Sequence, residues 1–411
     1  MVGKGINYRD LDRADQVLLI GFEPEEESPI VFLRLYKQVR KRALSITTIA
    51  PFASRGSEKL NAKLVKCAAG DEATSISSIS GLTSKSVILV GERLSESIGG
   101  FTAALALAQS SGAKLAWIPR RAGERGALEA GALGNLLPSG RPVSDPKARV
   151  DIQTAWGVNS IPAGEGRGTE GILKALHDGE IESLLIGGVD PLDISAHLHD
   201  GLKKAFVVSL EIRKSAITEI ANVVLPVAAV VEKSGTFINW EGRVRNFDVA
   251  IQDSLTRSDV RVLSMLADQM GTPINLPTVA AAAKEFNSLG RWEERAKFNP
   301  VQTQRMAHAS GDALLSSWRL LLDAGSLQEG EVNLAGTAHP SVVVISKSRA
   351  EKLGVASGER VRVSSKHGEV VLPCEIGDIE ESSVWIPRNS NESKAIKSLG
   401  AVNGPVSVVR A

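Results

Sequence analysis

Residues 16–51, QVLLIGFEPEEESPIVFLRLYKQVRKRALSITTIAP, decide the fold, because they place a helical segment between two apolar runs. The runs at 16–21 and 44–51 are short and end at Gly or Pro, which is typical of strands buried on both faces of a parallel sheet. Ser28 is a candidate helix N-cap, Pro29 suits the first helical position, and Lys and Arg gather in the last turns. This strand–helix–strand order predicts a doubly wound α/β fold with a mostly parallel sheet.

The same alternation continues along the first two thirds of the chain. Further strands are predicted by the apolar runs at 86–91, 114–119, 183–188, 205–210 and 222–228. Helical segments at 97–112 and 168–179 separate some of them, and each ends at Gly. Any ligand of such a sheet is expected at the carboxyl ends of the strands.

The loops at those carboxyl ends are unusual for an anion site. The loop after the first strand would repel phosphate, because it carries four acidic residues: Glu23, Glu25, Glu26 and Glu27. The loop after 114–119 carries Arg120, Arg121 and Arg125. These three could bind an anion, although a solvated loop is the favoured interpretation.

Composition excludes several classes of function. Lys plus Arg (48) balances Asp plus Glu (47), and only 4% of residues are aromatic, so a nucleic-acid binder is not expected. Cys67 and Cys374 are too few to hold an iron–sulfur cluster, and no Cys/His cluster predicts a metal site. No apolar run approaches the roughly 20 residues of a membrane span, so no membrane insertion is expected.

The chain is expected to have three parts. The α/β region is predicted over 1–257, and a helical or linker segment over 258–338, with helices at 258–271 and 311–325. From 339 to 411 the sequence changes to short strands, a short helix and a turn at His367–Gly368, which predicts a small β-barrel.

Motifs for known chemistry are absent or weak. The segment GRGTEG at 166–171 fits G-x-G-x-x-G, but no strand comes directly before it, so a loop leading into a helix is favoured. There is no P-loop and no G-x-S-x-G nucleophile elbow. His197 and His199 lie two apart and would not share one helix face. No catalytic residue is predicted.

The segment at 223–247, VVLPVAAVVEKSGTFINWEGRVRNF, resembles the molybdopterin oxidoreductase family, which carries a stretch of the form LP…E..GT..N.EGR.Q after a strand. Leu225 and Pro226 match it, whereas Asn246 and Phe247 do not extend it closely. The other matching residues form the candidate cofactor motif: Glu232, Gly235, Thr236, Asn239, Glu241, Gly242 and Arg243. The stretches 184–193 and 353–376 resemble the family's Pro turn and its C-terminal, dinucleotide-binding-like barrel.

Within that family, residues 15–42 resemble the G subunits of bacterial complex I, the proton-pumping NADH–quinone oxidoreductase, and 124–143 resembles their actinobacterial members. The full-length G subunits begin with Cys-rich segments that hold iron–sulfur clusters, so the chain is expected to be the C-terminal half, supplied as a fragment. The resemblance implies a fold kept without its pterin and a vestigial motif that binds no cofactor or metal.

The expected role is therefore that of a scaffold in the peripheral arm, on the cytoplasmic side of the membrane. The implied partners are other peripheral-arm subunits, and the iron–sulfur clusters would lie in those neighbours and in the other half of the parent protein. Two alternatives stay open. One is a C-terminal piece of a pterin-binding enzyme such as formate dehydrogenase or nitrate reductase, and the other is a free-standing binding protein.

Overall fold

The computed structural model describes residues 6–42, 44–195, 198–252, 254–294, 299–304, 313–390, 392–393, 398–400 and 404–411. These residues form two compact units. The first takes its residues from 1–120 and 299–411, and the second from 121–298.

The first unit contains a five-stranded parallel sheet in the order β3-β2-β1-β4-β5. The strands are β1 (Gln16–Ile20), β2 (Ser45–Ala50), β3 (Lys63–Lys66), β4 (Val87–Val90) and β5 (Lys114–Trp117). Its helices are α1 (Tyr8–Arg13), α2 (Pro24–Glu27), α3 (Pro29–Arg42), α4 (Arg55–Lys59), α5 (Glu72–Ile76) and α6 (Gly100–Ser111). The predicted doubly wound layer is thus confirmed.

Both faces of the central strands are buried, as their continuous apolar sequence predicts. Leu18 of β1 and Ile88 of β4 pack in one core with Ile76 of α5 and Ala104 of α6. The alternate residues of both strands point to the opposite face and are also almost fully buried, including Leu19. Strand β3 was not predicted, because its sequence, KLVK, has Lys at both ends.

The second unit has smaller sheets. Strands β8 (Ser183–Gly187), β9 (Phe206–Glu211) and β10 (Val223–Pro226) form a parallel sheet in the order β10-β9-β8. Two antiparallel pairs are β6 (Leu136–Leu137) with β7 (Arg141–Pro142), and β11 (Gly235–Ile238) with β12 (Val244–Phe247). The helices are α7 (Glu124–Glu129), α8 (Pro146–Trp156), α9 (Thr169–His177), α10 (Pro191–Ile194), α11 (Leu198–Leu202), α12 (Asp259–Gln269) and α13 (Val279–Ser288).

The last part of the chain forms a closed barrel in the order β13-β17-β14-β16-β15-β18. Its strands are β13 (Ala313–Ser316), β14 (Val343–Ser346), β15 (Arg360–Ser365), β16 (Gly368–Gly377), β17 (Ser383–Trp385) and β18 (Gly404–Arg410). Short helices α14 (Val332–Ala335) and α15 (Lys347–Leu353) precede and follow β14. The predicted barrel is confirmed.

The helix predicted at 311–325 is wrong over the described residues 313–325. Residues 313–316 form β13, which pairs with β17 and β18, and all four of its side chains are buried. A helix would bury only one stripe of that apolar run, whereas a barrel strand between two neighbours buries all of it. The barrel therefore takes one strand from the segment expected to be helical. The helix predicted at 258–271 is present as α12, and His197 lies outside the described residues.

Among the described residues, no helix combines the length and the apolar character that crossing a bilayer requires.

Candidate functional site

Most of the candidate cofactor motif, residues 232–243, lies in the β-hairpin formed by β11 and β12. Strands β11 and β12 pair antiparallel, with Thr236 opposite Asn246 and Phe237 opposite Arg245. Six of the seven predicted motif residues lie in this hairpin, and Glu232 lies just before it.

Asn239 fixes the turn of the hairpin. Its Oδ1 accepts the backbone N–H groups of Glu241 at 3.1 Å and Arg243 at 2.9 Å, and its Nδ2 donates to Glu241 Oε2 at 2.9 Å. Gly242 has a φ of +78°, in the left-handed region that favours glycine. Its N–H donates to the Asn239 carbonyl at 2.8 Å. The turn thus uses Asn239 and Gly242 for its own geometry.

The charges of the motif neutralise each other. Arg243 Nε lies 3.3 Å from Glu241 Oε2, and the Glu241 side chain is only 3% exposed, whereas that of Arg243 is half exposed. A buried carboxylate with a cation and an amide donor beside it is electrostatically satisfied without a ligand.

Glu232 is satisfied in the same way. Its carboxylate accepts the Ala229 backbone N–H at 2.8 Å and the hydroxyls of Ser254 at 2.8 Å and Thr256 at 3.2 Å. These hydrogen bonds, with the one from Ala229 the strongest influence, hold the pKa of the Glu232 carboxyl below its usual value. Glu232 is therefore an ionised anchor that ties the segment before the hairpin to the loop after it.

Gly235 and Thr236 serve the hairpin itself. A Cβ on Gly235 would lie 2.5 Å from Phe247 Cζ, so the ring of Phe247 needs a glycine there. Phe237 stacks on Phe247 with ring centroids 5.1 Å apart. The Thr236 hydroxyl donates to Asn246 Oδ1 at 3.0 Å. Each motif residue thus has a structural contact, and its loss of a cofactor role stays a prediction.

Replacing Asn239 with alanine is expected to destabilise the hairpin by about 1–2 kcal/mol, because two backbone N–H groups lose their acceptor and Glu241 Oε2 keeps only Arg243 beside it. Amide hydrogen exchange across β11 and β12 measures the effect. The control is Thr236→Ala, which removes one exposed cross-strand bond and is expected to cost about 0.5 kcal/mol or less. Equal protection in both variants would contradict the role given to Asn239.

An open groove lies beside the motif within the second unit. It was not predicted from the sequence. It has a volume of about 450 Å³. Cationic side chains of Lys233, Arg257 and Arg261 line it beside Glu232, together with the segment 277–280. Lys233 is already paired with Asp259. The groove is a place in this unit where an anion would find positive charge.

A second candidate ligand-binding site lies in the first unit, at the carboxyl ends of β1 and β4. The strand order reverses between these neighbours, and open α/β sheets bind ligands at such a point. Here the two loops touch. A Cβ on Gly91 would lie 2.2 Å from the Gly21 carbonyl oxygen, and a Cβ on Gly21 would lie 2.7 Å from Leu94 N. Backbone therefore occupies the crevice where the strands diverge.

A buried ion pair stands beside that contact. Arg93 Nε lies 3.0 Å from Glu27 Oε1, and Nη2 lies 3.4 Å from Oε2. The Glu27 and Arg93 side chains are 4% and 12% exposed. The Arg93 guanidinium also lies over the Trp318 ring, 5.2 Å from its centroid. Arg93 thus has an internal carboxylate and an aromatic ring as its partners.

Glu23 adds an acidic group at the same position. Its side chain is buried, and its carboxylate accepts the Ser54 hydroxyl and the Glu25 backbone N–H. Burial raises the pKa of Glu23 to about 7, opposed by the Ser54 hydrogen bond and reinforced by the charge of Glu27. Its backbone N–H donates to Glu27 Oε2 at 2.6 Å. This crevice presents carboxyl groups where a phosphate would need donors.

The other predicted charged residues have their own partners. Glu25 lies 2.5 Å from Lys59 Nζ, and Glu26 accepts the Leu321 backbone N–H at 2.7 Å. Two of the arginines considered for anion binding are in ion pairs, Arg120 with Glu92 at 3.1 Å and Arg125 with Glu129 at 2.9 Å.

Comparisons with known proteins agree with this architecture. The chain matches the family model for molybdopterin oxidoreductase over residues 4–269, and the one for the molydopterin dinucleotide binding domain over 324–408. Acetylene hydratase from Pelobacter acetylenicus is a solved structure of similar fold, with a TM-score of 0.54 and 11% identity, covering 98% of this chain and 78% of that one.

The similar curated proteins include G subunits of NADH-quinone oxidoreductase. The one from Mycobacterium bovis is 45% identical over 416 residues, covering 98% of this chain and 52% of the relative. The one from Streptomyces coelicolor is 42% identical over 427 residues, covering 98% and 51%. A nitrate reductase from Symbiobacterium thermophilum is 33% identical over 149 residues, which is 35% of this chain.

The predicted resemblance to these G subunits is confirmed by the two relatives, and the chain spans about half of their length. The first family model covers more than half of the chain, and the sheets and the closed barrel agree with it. The chain therefore belongs to the molybdopterin oxidoreductase family.

Proposed function

We propose that the chain is a non-catalytic, structural part of the G subunit in the peripheral arm of proton-pumping NADH–quinone oxidoreductase. It supports the electron transfer from NADH to quinone that iron–sulfur clusters carry in neighbouring subunits and in the rest of the G subunit. The relatives from Mycobacterium and Streptomyces support this proposal, because their similarity extends over 98% of the chain. The proposal places the chain on the cytoplasmic side of the membrane, with other peripheral-arm subunits as its partners.

The observation that carries the proposal is the closed crevice at the ends of β1 and β4. A pterin phosphate there would have to displace the Glu27–Arg93 pair and lie beside the Glu23 carboxyl group. Separating a buried ion pair is costly, and repulsion by the Glu27 carboxylate freed from that pair adds to the cost. The residues present do not fit the family's phosphate-bearing cofactor at this position.

The described part of the chain also offers few side chains that could bind a metal ion. It contains no group of three or more His, Cys, Asp or Glu side chains placed to hold a metal ion. Cys67 and Cys374 are both buried, and burial raises the pKa of the Cys67 thiol to about 12. A thiol that resists ionisation is a poor metal ligand, because the thiolate is the binding form. The residues therefore favour a structural role.

The hairpin supports a role in assembly. A two-stranded sheet is marginal on its own, and the segment around β11 and β12 carries many large apolar side chains that are exposed in this chain. They are Val230, Val231, Val244, Val249, Ile251 and Leu255. Apolar side chains at this density are typical of a surface that another protein part covers.

A pterin-binding oxidoreductase, such as a formate dehydrogenase or a nitrate reductase, is the second candidate function. The groove lined by Lys233, Arg257 and Arg261 favours it, because cations suit an anionic cofactor. The acidic crevice of the first unit argues against it.

Cofactor analysis separates the two functions. The chain is expressed in a host that assembles molybdopterin enzymes and is purified beside a loaded nitrate reductase as the positive control. We expect molybdenum, tungsten and iron far below one atom per chain by mass spectrometry, and no pterin fluorescence after extraction and oxidation. Stoichiometric metal together with pterin would overturn the scaffold and establish the enzyme.

A further inference from the structure

The three-stranded parallel sheet of the second unit has two chemically similar faces. In a parallel pair, residues in register point to the same side. Leu184 of β8 is in register with Val207 of β9, and Leu185 is in register with Val208. Val208 is also in register with Val223 of the next strand, β10. Both faces of β8 and β9 therefore carry apolar side chains, as in a parallel sheet that has helices packed on both faces.

Helices cover one of these faces. Leu184 and Val207 pack in a core with Leu176 of α9 and with Leu198 and Leu202 of α11. The buried side chains of that core have at most 4% of their surface exposed. Over β8 and β9 this face is an ordinary α/β layer, whereas Val224 of β10, in register with Ser209 on the same face, is 41% exposed.

The opposite face is bare near the amino ends of the strands. Phe206 is 51% exposed, Leu185 is 48% exposed and Val223 is 39% exposed, while Val208 between them is half-buried. Leu210, further along the same face of β9, is buried. We call the group of Leu185, Phe206, Val208 and Val223 the bare sheet face.

The bare sheet face lacks the side chains of a solvated surface. Besides its four apolar members, the same face of β8 carries only Ser183 and Gly187 at the neighbouring positions. A sheet face that is exposed to solvent carries polar side chains. Parallel sheets, in contrast, normally have helices on both sides and apolar side chains on both faces. The sequence of these strands therefore fits a covering element that the described residues do not supply at this position.

The small size of the bare sheet face restricts its occupant. Four partly exposed side chains of these types present on the order of 300 Å². A stable interface between separate proteins buries roughly 800 Å² on each partner. A segment held in the same polypeptide needs less area, because its association costs no free translation or rotation. The patch fits a covalently linked partner better than a second copy of this chain.

We infer that the bare sheet face is the docking surface for the part of the G subunit that lies outside the region shared with this chain. This rests on the proposed function. The curated relatives carry nearly as much sequence outside the shared region as within it, since 52% of the Mycobacterium bovis protein is matched. The occupant is an apolar helix face of that part, because crossover helices cover parallel sheets.

Co-expression tests the inference. The full chain is produced with the unmatched half of the Mycobacterium bovis relative, and their association is measured by co-purification and titration. We expect Leu185→Glu to weaken the association at least tenfold. Val150→Glu is the control, because Val150 lies on α8 in the same unit and is 58% exposed. Both sites are surface positions, and circular dichroism checks that each variant is folded.

Thiol labelling gives a second readout at the same site. In Leu185→Cys we expect labelling to slow at least tenfold when the second half is bound, as peptide mass spectrometry reports. The two native thiols are buried, so the labelled peptide is unambiguous. An unchanged rate with both halves associated would overturn the inference and leave the proposed function intact. No association of the halves would overturn both, and protection that grows with the concentration of the chain alone would identify a second copy instead.

Discussion

Replacing Arg93 with alanine is expected to lower the free energy of unfolding by about 3–5 kcal/mol. Glu27 would then keep a carboxylate that is 4% exposed without the guanidinium that now binds it through two nitrogens. The contact of Arg93 with the Trp318 ring would be lost as well. Chemical denaturation followed by tryptophan fluorescence measures the change, since Trp318 lies at the site.

The matched control is Arg120→Ala. Its pair with Glu92 has a similar length, 3.1 Å, but the side chains of Arg120 and Glu92 are 21% and 30% exposed. Solvent screens such a pair, so we expect a loss of about 1 kcal/mol or less.

The double variant Glu27→Gln with Arg93→Met removes both charges of the crevice pair. It is expected to recover part of the stability lost in Arg93→Ala, because no carboxylate remains buried without a partner. If Arg93→Ala behaved like Arg120→Ala, the view that an internal ion pair closes the crevice would be wrong.

Local sequence was sufficient for the central strands and the helix α3 of the first unit and for most of the barrel, but not for β3 or β13. The runs at 16–21 and 86–91 are apolar at every core position, so they had to be strands buried on both faces, and they are β1 and β4. Pro29 begins α3, as its fixed φ suggested. Signals of this kind act within a few residues, and this is why they can be read without a structure.

Contacts that depend on distant parts of the chain were not predictable. Arg93 was visible in a strand-end loop, but its partner Trp318 lies in a segment whose apolar run suggested a helix. Residues 313–316 of that segment form a barrel strand because β17 and β18 pair with them. The motif residues were found by resemblance, yet the hairpin they form depends on the Asn239 turn and on the packing of Phe247 against Gly235.

Glu23 makes the stability of the first unit depend on pH. Its pKa is raised from 4.5 to about 7 in the folded chain, chiefly because the side chain is buried. The charged groups that face it are Glu27, which raises its pKa, and Arg93, which lowers it. Gly56 packs so closely that a Cβ there would lie 2.3 Å from Glu23 Oε1, which keeps water from the carboxyl group.

The direction of the effect follows from the proton balance. Between about pH 4.5 and 7 the unfolded chain releases the Glu23 proton while the folded chain keeps it. The folded state then binds more protons, so this group's contribution to stability falls as the pH rises through that window. Above the folded pKa the loss is complete, and a shift of this size corresponds to roughly 3 kcal/mol.

Glu23→Gln is expected to remove this dependence, because glutamine has no proton to lose. Its single oxygen can still accept from one of the two donors that now bind the two carboxylate oxygens, the Ser54 hydroxyl or the Glu25 N–H. The stability of the variant relative to the parent chain should rise by about 2–3 kcal/mol between pH 5 and pH 8. Denaturant titrations at several pH values measure it, with Glu92→Gln as the control, since the Glu92 carboxylate is 30% exposed and paired with Arg120. A difference between Glu23→Gln and the parent chain that stays constant with pH would mean that Glu23 is ionised in the fold, and the crevice would then hold a fixed negative charge rather than a neutral acid.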